Sequence, residues 1–310
     1  MSRTYVIGTR GSRLALRQVE LVRDALLAAR PGTSIDVREI KTEGDGSTAP
    51  LSAIGGTGVF TKAIEDALID RRVDIAVHSM KDLPARLAEG LTIGAVPARE
   101  APRDALITRD GRTLDDLPVG ARVGTGSARR AVQLRALRGD LAFAEIRGNV
   151  DTRIRKVEDG EYDATVLAMA GLRRLGLEAK AAQVFLLDAM IPAVGQACIA
   201  VEVRADDAEA LDLVRAIDHR ASRIASEAER AFLARLGAGC RLPVGAWAEL
   251  DAGTIRLRGM LGVGSAAGGA ASLTVLRAER SGSHEAAAAI GAALAEELIA
   301  RAGPSFSMAE

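Results

Sequence analysis

Aromatic residues and cysteines are both scarce in this chain of 310 residues. Aromatic side chains make up only 3% of the sequence, whereas 48% of the residues are hydrophobic. The core must therefore be built mainly from Leu, Val, Ile and Ala. Two cysteines, Cys198 and Cys240, are too few for the disulfide framework of a small secreted protein. We therefore expect a reducing, cytoplasmic compartment.

An excess of charge and long apolar runs are also missing. Lys plus Arg and Asp plus Glu each number 41, so the chain has no net charge and lacks the basic footprint of nucleic-acid-binding proteins. No run approaches the roughly 20 apolar residues of a membrane span, and the first residues show no secretory pattern. The three histidines are scattered, without the spacing of a zinc site, so we expect no metal.

Alternating strand and helix patterns indicate two α/β lobes. The run Thr4–Thr9 predicts a strand, after which Ser12 caps a helix with an apolar stripe. The same rhythm restarts after a charged, proline-containing connector at 97–103, with strands predicted at 121–125 and 164–168. Such a rhythm favours mainly parallel sheets covered by helices.

The pattern changes after Asp206. Two long helices are predicted up to about Leu236, and a glycine-rich turn then carries Cys240. Three strand-like runs and a final Ala/Leu-rich helix follow. Strands followed by a helix predict a separate, small α+β domain.

Two similar turns join a strand to a helix, one in each lobe. The sequence Gly-Thr-Arg-Gly-Ser ends at Ser12, and Gly-Thr-Gly-Ser ends at Ser127. Each turn places free backbone N–H groups and a hydroxyl at a helix N-terminus, which suits an anion. The sequence leaves two interpretations open: a cleft with two anion-binding turns, or chance combined with ordinary serine capping.

Basic residues are concentrated between residues 122 and 156. This stretch holds nine basic and three acidic residues, which leaves an excess of six positive charges in a neutral chain. Arg129 and Arg130 fall in the first turn of a predicted helix, where cations oppose the helix dipole, and Arg147 ends an apolar strand. Guanidinium groups bind carboxylates through two parallel hydrogen bonds, so we favour a ligand with several carboxylates. Solvated helix faces are the alternative.

Lys81, Asp82 and Cys240 are candidate reactive groups. Lys81 and Asp82 follow a buried strand predicted at 73–78, at the end where α/β sheets bind ligands. Asp82 either stabilises a cation and handles a proton, or caps a helix beside a solvated lysine. Cys240 follows a glycine and precedes Arg241, which favours a thiolate close to a ligand; a small buried residue is the alternative.

Three other features have simpler interpretations. His78 is interpreted as a hydrogen-bonded structural residue, and Cys198 as a small buried residue in an apolar strand. The stretch from about residue 42 to 58 is rich in Gly, Ser and Thr, which predicts a mobile loop that acts as a lid. Its glycines are not followed by the Gly-Lys-Ser/Thr of a nucleotide-binding loop.

Seven segments together resemble the porphobilinogen deaminase family, also called hydroxymethylbilane synthases. They occur in the family's order across nearly the whole chain, at 9–16, 74–82, 123–130, 147–153, 167–175, 192–196 and 229–243. The sequence departs from the family pattern at Ala53 and Thr57, where lysines are frequent, and at Ala238, where glycine is usual.

The resemblance implies an α/β protein of three domains. The first two are expected to resemble the lobes of a periplasmic binding protein, with mainly parallel mixed sheets. The first is discontinuous, 1–98 plus 197–216, and the second spans 103–192. The third, 220–310, is a small α+β domain that carries Cys240.

The resemblance also implies a transferase of tetrapyrrole biosynthesis. Four porphobilinogen molecules lose ammonia and join head to tail into hydroxymethylbilane, on a dipyrromethane primer bound to Cys240 through a thioether. Asp82 is the implied catalytic carboxylate, which stabilises a cationic azafulvene. The implied cofactor contacts are Lys81, Thr125, Ser127, Arg129 and Arg130. The implied substrate contacts are Arg10, Ser12, Phe60, Arg147, Arg153 and Arg174. We expect a monomer that passes its product to uroporphyrinogen III synthase.

Two functions from other classes are alternatives. A two-lobed sensor or solute-binding protein for organic anions would explain the lobes and the arginines, but neither Cys240 nor the third domain. A hydrolase with Cys240 as nucleophile would need a nearby histidine, and nothing in the sequence places one there.

Overall fold

The computed structural model describes most of the chain, in four ranges: 3–42, 61–237, 242–264 and 274–303. The expectations for the lid between 43 and 58, including Ala53 and Thr57, lie outside these residues. The same is true of Phe60, Ala238 and Cys240.

The described residues form thirteen strands and eight α-helices. The strands are β1 Thr4–Thr9, β2 Ser34–Glu39, β3 Ile75–Ser79, β4 Leu91–Ala95, β5 Asp104–Thr108, β6 Arg122–Gly124, β7 Ala142–Ala144, β8 Ala164–Ala168, β9 Gln183–Val184, β10 Ile199–Arg204, β11 Val244–Asp251, β12 Thr254–Val263 and β13 Thr274–Ser283. The helices are α1 Arg13–Ala29, α2 Lys62–Ile69, α3 Ala128–Leu137, α4 Val150–Glu158, α5 Met169–Arg174, α6 Ala208–Arg215, α7 Arg220–Leu236 and α8 Ala287–Ala302.

The first sheet has the strand order β2-β1-β3-β10-β4. Strand β1 runs parallel to β2 and β3, whereas β10 lies antiparallel between β3 and β4. Helix α1 covers the sheet with the apolar stripe predicted from the sequence, since Val19, Val22 and Leu26 are buried against Ile7. The return of the chain at β10 supports the proposed discontinuous first domain.

The second sheet repeats this plan with the order β7-β6-β8-β5-β9. Strand β6 runs parallel to β7 and β8, and β5 runs antiparallel to β8. Leu106, Val123, Leu134 and Val166 form much of its core. Two α/β lobes with mixed sheets confirm the predicted fold class.

The third sheet, β11-β12-β13, is antiparallel, and helices α7 and α8 cover one face. The two helices approach closely at Gly291, where any β-carbon would collide with the backbone of Ala228. Helix α7 ends at Gly237, whose φ of 61° is the left-handed conformation that glycine adopts most easily. This small C-terminal α+β unit agrees with the predicted fold class. No helix among the described residues is both long and apolar enough to cross a bilayer.

Several elements differ from the sequence prediction. Strands β4, β5 and β9 were not predicted, because β4 contains Gly94, β5 begins with an aspartate and β9 has two residues. The first helix after Asp206, predicted to be long, has only eight residues. Strand β7 ends at Ala144, so Arg147, which was predicted to end an apolar strand, lies three residues beyond it.

One buried carboxylate joins the three units. Glu229 on α7 is fully buried and accepts hydrogen bonds from both terminal nitrogens of Arg99, at 2.5 and 3.2 Å. It also accepts from the backbone N–H groups of Gly195, at 2.7 Å, and Ala248, at 2.9 Å. Arg99 and Gly195 lie in the two connections between the lobes, and Ala248 lies in β11. The contacts of Glu229 therefore tie both connections to the third unit.

We expect Glu229→Gln to lower the free energy of unfolding by about 3–5 kcal/mol, because the change leaves the buried Arg99 cation without its counter-charge. Chemical denaturation of the full chain measures this loss. Glu227→Gln, an exposed position on the same helix, is the matched control and should change stability by less than about 0.5 kcal/mol. Equal losses in the two variants would contradict the role given to Glu229.

Candidate active site

Two cavities meet at the carboxyl end of β3. The first, of about 530 Å³, lies between the two lobes, and the second, of about 540 Å³, lies between the lobes and the third unit. Their walls share the residues Lys81, Asp82, Gly126, Ser127 and Arg130. Asp82 therefore borders both cavities.

The position of Lys81 and Asp82 follows from the residues that flank them. Strand β3 is buried, and a short 3₁₀ helix, Met80–Asp82, continues it. Met80 and Leu83 are almost completely buried, and the Met80 N–H donates to the carbonyl of Cys198 at 3.1 Å. Because the apolar residues on both sides are anchored in the core, Lys81 and Asp82 are left at the cavity walls.

Two capped helices begin at the first cavity. The hydroxyl of Ser12 accepts from the N–H of Ala15 at 3.3 Å at the start of α1. The hydroxyl of Ser127 accepts from the N–H of Arg130 at 3.4 Å at the start of α3. Both serines line the cavity, so the positive ends of two helix dipoles favour an anion there.

Arginines from both lobes line the first cavity. Besides Arg130, they are Arg10, Arg13, Arg147, Arg153 and Arg174. Arg153 donates its Nε–H to the carbonyl of Gly148 at 2.8 Å, and Arg174 donates an Nη2–H to the carbonyl of Ala197 at 2.6 Å. Each of these two guanidinium groups is held by the backbone through one nitrogen, which orients the group in the cavity wall.

The cavity walls carry more positive than negative charge. Burial lowers the pKa of Lys81 to about 8; Asp82 raises it in part, and Arg130 lowers it further. Burial also lowers the pKa of Arg153 to about 10, and the neighbouring cations Arg130 and Arg147 act in the same direction. Cations that repel each other in a partly desolvated cleft favour a ligand with several negative charges.

Arg129 lines only one of the two cavities, and Thr125 lines neither. The Arg129 side chain is only 5% exposed, and it lines the second cavity but not the first. Both Arg129 and Arg130 form ion pairs with the buried Asp104. Thr125 lines neither cavity; its hydroxyl accepts from the N–H of Ser127 at 3.1 Å, so it supports the turn that carries the serine. Asp104 was not predicted as a functional residue, although it stands between an arginine and an apolar run in the sequence.

The structural interpretation of His78 and Cys198 is confirmed. His78 is buried, and its Nε2 lies 3.1 Å from a carboxylate oxygen of Glu202. Cys198 is 1% exposed, and burial raises the pKa of its thiol to about 11. Cys198 is therefore protonated at neutral pH and disfavoured as a nucleophile.

Cys240 lies outside the described residues, but its neighbours in the sequence border the second cavity. Gly237 and Leu242 both line this cavity, together with Leu233 and Arg230 of the third unit. The wall thus combines apolar side chains with the cations Arg129, Arg130 and Lys81. Apolar surface beside several cations suits a flat heteroaromatic ligand that bears carboxylates.

Two family models match the chain in consecutive order. Residues 5–212 match the model described as "Porphobilinogen deaminase, dipyromethane cofactor binding domain". Residues 224–300 match "Porphobilinogen deaminase, C-terminal domain". These matches confirm the resemblance seen in the sequence, the predicted enzyme class and the predicted dipyrromethane cofactor.

Curated relatives match over nearly their full length. The porphobilinogen deaminase of Roseiflexus sp. (strain RS-1) is 51% identical over 304 residues, 98% of each chain. That of Syntrophobacter fumaroxidans is 46% identical over 298 residues, 96% of this chain and 94% of the relative. Among solved structures, the methionine binding protein MetQ aligns with 68% of this chain and 88% of its own, at 12% identity and a TM-score of 0.46. The chain described here belongs to the porphobilinogen deaminase family.

Proposed function

We propose that this chain joins four porphobilinogen molecules into hydroxymethylbilane with Asp82 as its catalytic residue. Family membership supports the reaction, and one observation supports the residue. Asp82 is the carboxylate that lines both cavities, and cations surround it. A growing chain in one cavity and an incoming substrate in the other would therefore meet at Asp82.

The chemistry needs a carboxylate at this junction. Loss of ammonia from porphobilinogen leaves an azafulvene cation, whose charge is shared by the pyrrole N–H. Asp82 accepts a hydrogen bond from that N–H and stabilises the charge as it develops. When bound, dipyrromethane supplies the free pyrrole α-carbon that attacks the azafulvene methylene group. Asp82 is then placed to take the proton that this α-carbon loses when the new C–C bond has formed.

We assign the cofactor to the second cavity and the incoming substrate to the first. Cys240 is three residues after Gly237 and two before Leu242, and both of these line the second cavity. Lys81, Arg129, Arg130 and Ser127 lie there to bind the cofactor carboxylates, and Thr125 supports them. Arg10, Ser12, Arg147, Arg153 and Arg174 of the first cavity bind the acetate and propionate of porphobilinogen. Phe60 is proposed to stack on a pyrrole face.

We also propose that the enzyme is a cytoplasmic monomer that passes its product to uroporphyrinogen III synthase. All the side chains assigned to the two cavities come from one chain, so the site does not require a second copy. Hydroxymethylbilane is the linear tetrapyrrole that such a synthase would close into a ring. Sedimentation velocity, with and without the synthase, tests both parts of this proposal.

We expect Asp82→Asn to lower kcat by about 10²–10⁴-fold, because the amide can neither balance the azafulvene charge nor accept the released proton. Single-turnover and steady-state kinetics of the cofactor-bearing enzyme measure this change, and binding of porphobilinogen should persist. Asp24→Asn, at an exposed position on α1, is the control and should keep normal kcat. Near-normal turnover in Asp82→Asn would rule out the assigned role.

We expect Cys240→Ser to abolish the covalent attachment of dipyrromethane, because the serine hydroxyl is a far weaker nucleophile than a thiolate. Intact-protein mass spectrometry should then find the bare polypeptide mass. Cys198→Ser tests the other cysteine and should keep the mass excess of two linked pyrroles. If Cys240→Ser retained that excess, the anchor would have to be another residue.

We expect Arg153→Leu to raise KM for porphobilinogen by about 10–100-fold, the equivalent of one lost hydrogen bond between charged groups at about 1.5–3 kcal/mol. Arg155→Leu is the matched control, since Arg155 is exposed on the same helix α4 and lines neither cavity. Its KM should stay within about twofold of the wild-type value. Equal KM values for the two variants would exclude Arg153 from the substrate site.

A further inference from the structure

Asp104, the first residue of β5, is buried under the arginines of the second lobe. It is 0% exposed, and neither cavity reaches it. Its Oδ2 accepts from Nη1 of Arg129 at 2.8 Å, and its Oδ1 accepts from Nη2 of Arg130 at 2.7 Å. The side-chain amide of Gln196 donates to Oδ1 as well, at 3.0 Å. Asp104 therefore contacts two cavity-lining arginines at once.

Backbone carbonyls complete the fixation of the two guanidinium groups. Nη1 of Arg129 also donates to the carbonyl of Ile191, at 2.8 Å, and Nη1 of Arg130 donates to that of Val166, at 2.8 Å. Carboxylate and carbonyl contacts together hold each guanidinium plane in one orientation. A guanidinium group has five N–H donors, so each arginine keeps donors that Asp104 does not use.

Arg130 is the arginine of this pair that borders both cavities. The residue is 7% exposed, and its buried Nε has no hydrogen-bond partner among the described residues. Arg130 lines both cavities. Asp104 and the carbonyl of Val166 each use one N–H of its two terminal nitrogens, so each terminal nitrogen keeps a second N–H for a bound carboxylate.

The charges of the cluster are also unbalanced. One carboxylate faces two guanidinium groups, so a surplus of one positive charge stays buried beside Lys81. Arg129 and Arg130 hold the pKa of Asp104 well below its usual range in spite of burial, so Asp104 stays ionised. A purely structural ion pair would need only one arginine. The second leaves a positive charge that an anionic ligand would neutralise.

We propose that Asp104 is a positioning residue for the reaction: it holds Arg129 and Arg130 by one edge. The other N–H groups of Arg129 then serve the carboxylates in the second cavity, and those of Arg130, which lines both cavities, also serve the substrate carboxylates in the first. Asp104 does not touch substrate or cofactor and acts only through the two arginines. This inference rests on the proposed function, because it assumes that these arginines bind carboxylates.

We expect Asp104→Asn and Asp104→Glu holoenzymes to show KM for porphobilinogen raised by about 10–100-fold, with a much smaller change in kcat per cofactor-bearing molecule. A displacement of about 1 Å in a positioned binding group has effects of this size. Asp104→Glu keeps the negative charge and moves it by one methylene group, so it provides a folded variant if Asp104→Asn is too unstable to purify. A merely structural role would lower Tm and the yield of folded enzyme, but would leave KM unchanged.

Two comparison variants make the outcomes distinct. Asp140→Asn removes the partner of Arg138 in the same lobe, away from both cavities, and should keep normal KM. Arg130→Leu tests the proposed function itself. If Arg130→Leu keeps both normal KM and the full mass excess of two linked pyrroles, the carboxylate-binding role of the arginine is wrong. If Arg130→Leu raises KM while both Asp104 variants keep the wild-type value, only the positioning role of Asp104 is overturned.

Discussion

The structure depends on holding an excess of positive charge in a partly desolvated cleft. Burial lowers the pKa values of Lys81 and Arg153, and repulsion by neighbouring arginines lowers them further. Specific partners hold several of the arginines in place. Backbone carbonyls hold Arg153 and Arg174, and the carboxylate of Asp104 holds Arg129 and Arg130. A ligand with several carboxylates then supplies the charge that the protein lacks.

This constraint explains the distribution of acidic groups. Buried acids lie behind the cavity walls, where Asp104 and Glu229 fix arginines and backbone N–H groups. Asp82, in contrast, stands at the wall shared by both cavities. Asp151 also lines the first cavity, but it is paired with Arg13 at 2.9 Å. An unpaired second acid would repel the carboxylates of the ligand, so one carboxylate at the proposed reaction point is compatible with a polyanionic substrate. The buried acids thus stabilise the cleft, whereas Asp82 faces the space where a ligand would bind.

The three units supply different parts of the site. The first lobe contributes the end of β3 with Lys81 and Asp82, and the second contributes the arginine-rich helix α3. The third borders the second cavity with Gly237 and Leu242, next to the segment that contains Cys240. Glu229 connects all three through Arg99, Gly195 and Ala248. The placement of the third unit beside the acid and the arginines thus depends on one junction between the units.

The sequence by itself determined the features that arise from local patterns. The prediction was confirmed for strand β1, for the Ser12 cap of α1 and for strand β8. Hydrophobic periodicity and helix capping both depend on residues that are close together in the sequence. The seven segments that match the porphobilinogen deaminase family, taken together and in the family's order, were enough to predict the family, the cofactor and the enzyme class.

Only the tertiary structure decided which distant groups meet. Asp104 lies 25 and 26 residues before its arginine partners and 92 before Gln196, and Glu229 lies 130 after Arg99. Strand β10 enters the first sheet between β3 and β4, more than a hundred residues after both. No local period encodes such pairings, because they follow from the packing of whole lobes. The physical reason is that a buried charge selects its partner by position in space, not by distance along the chain.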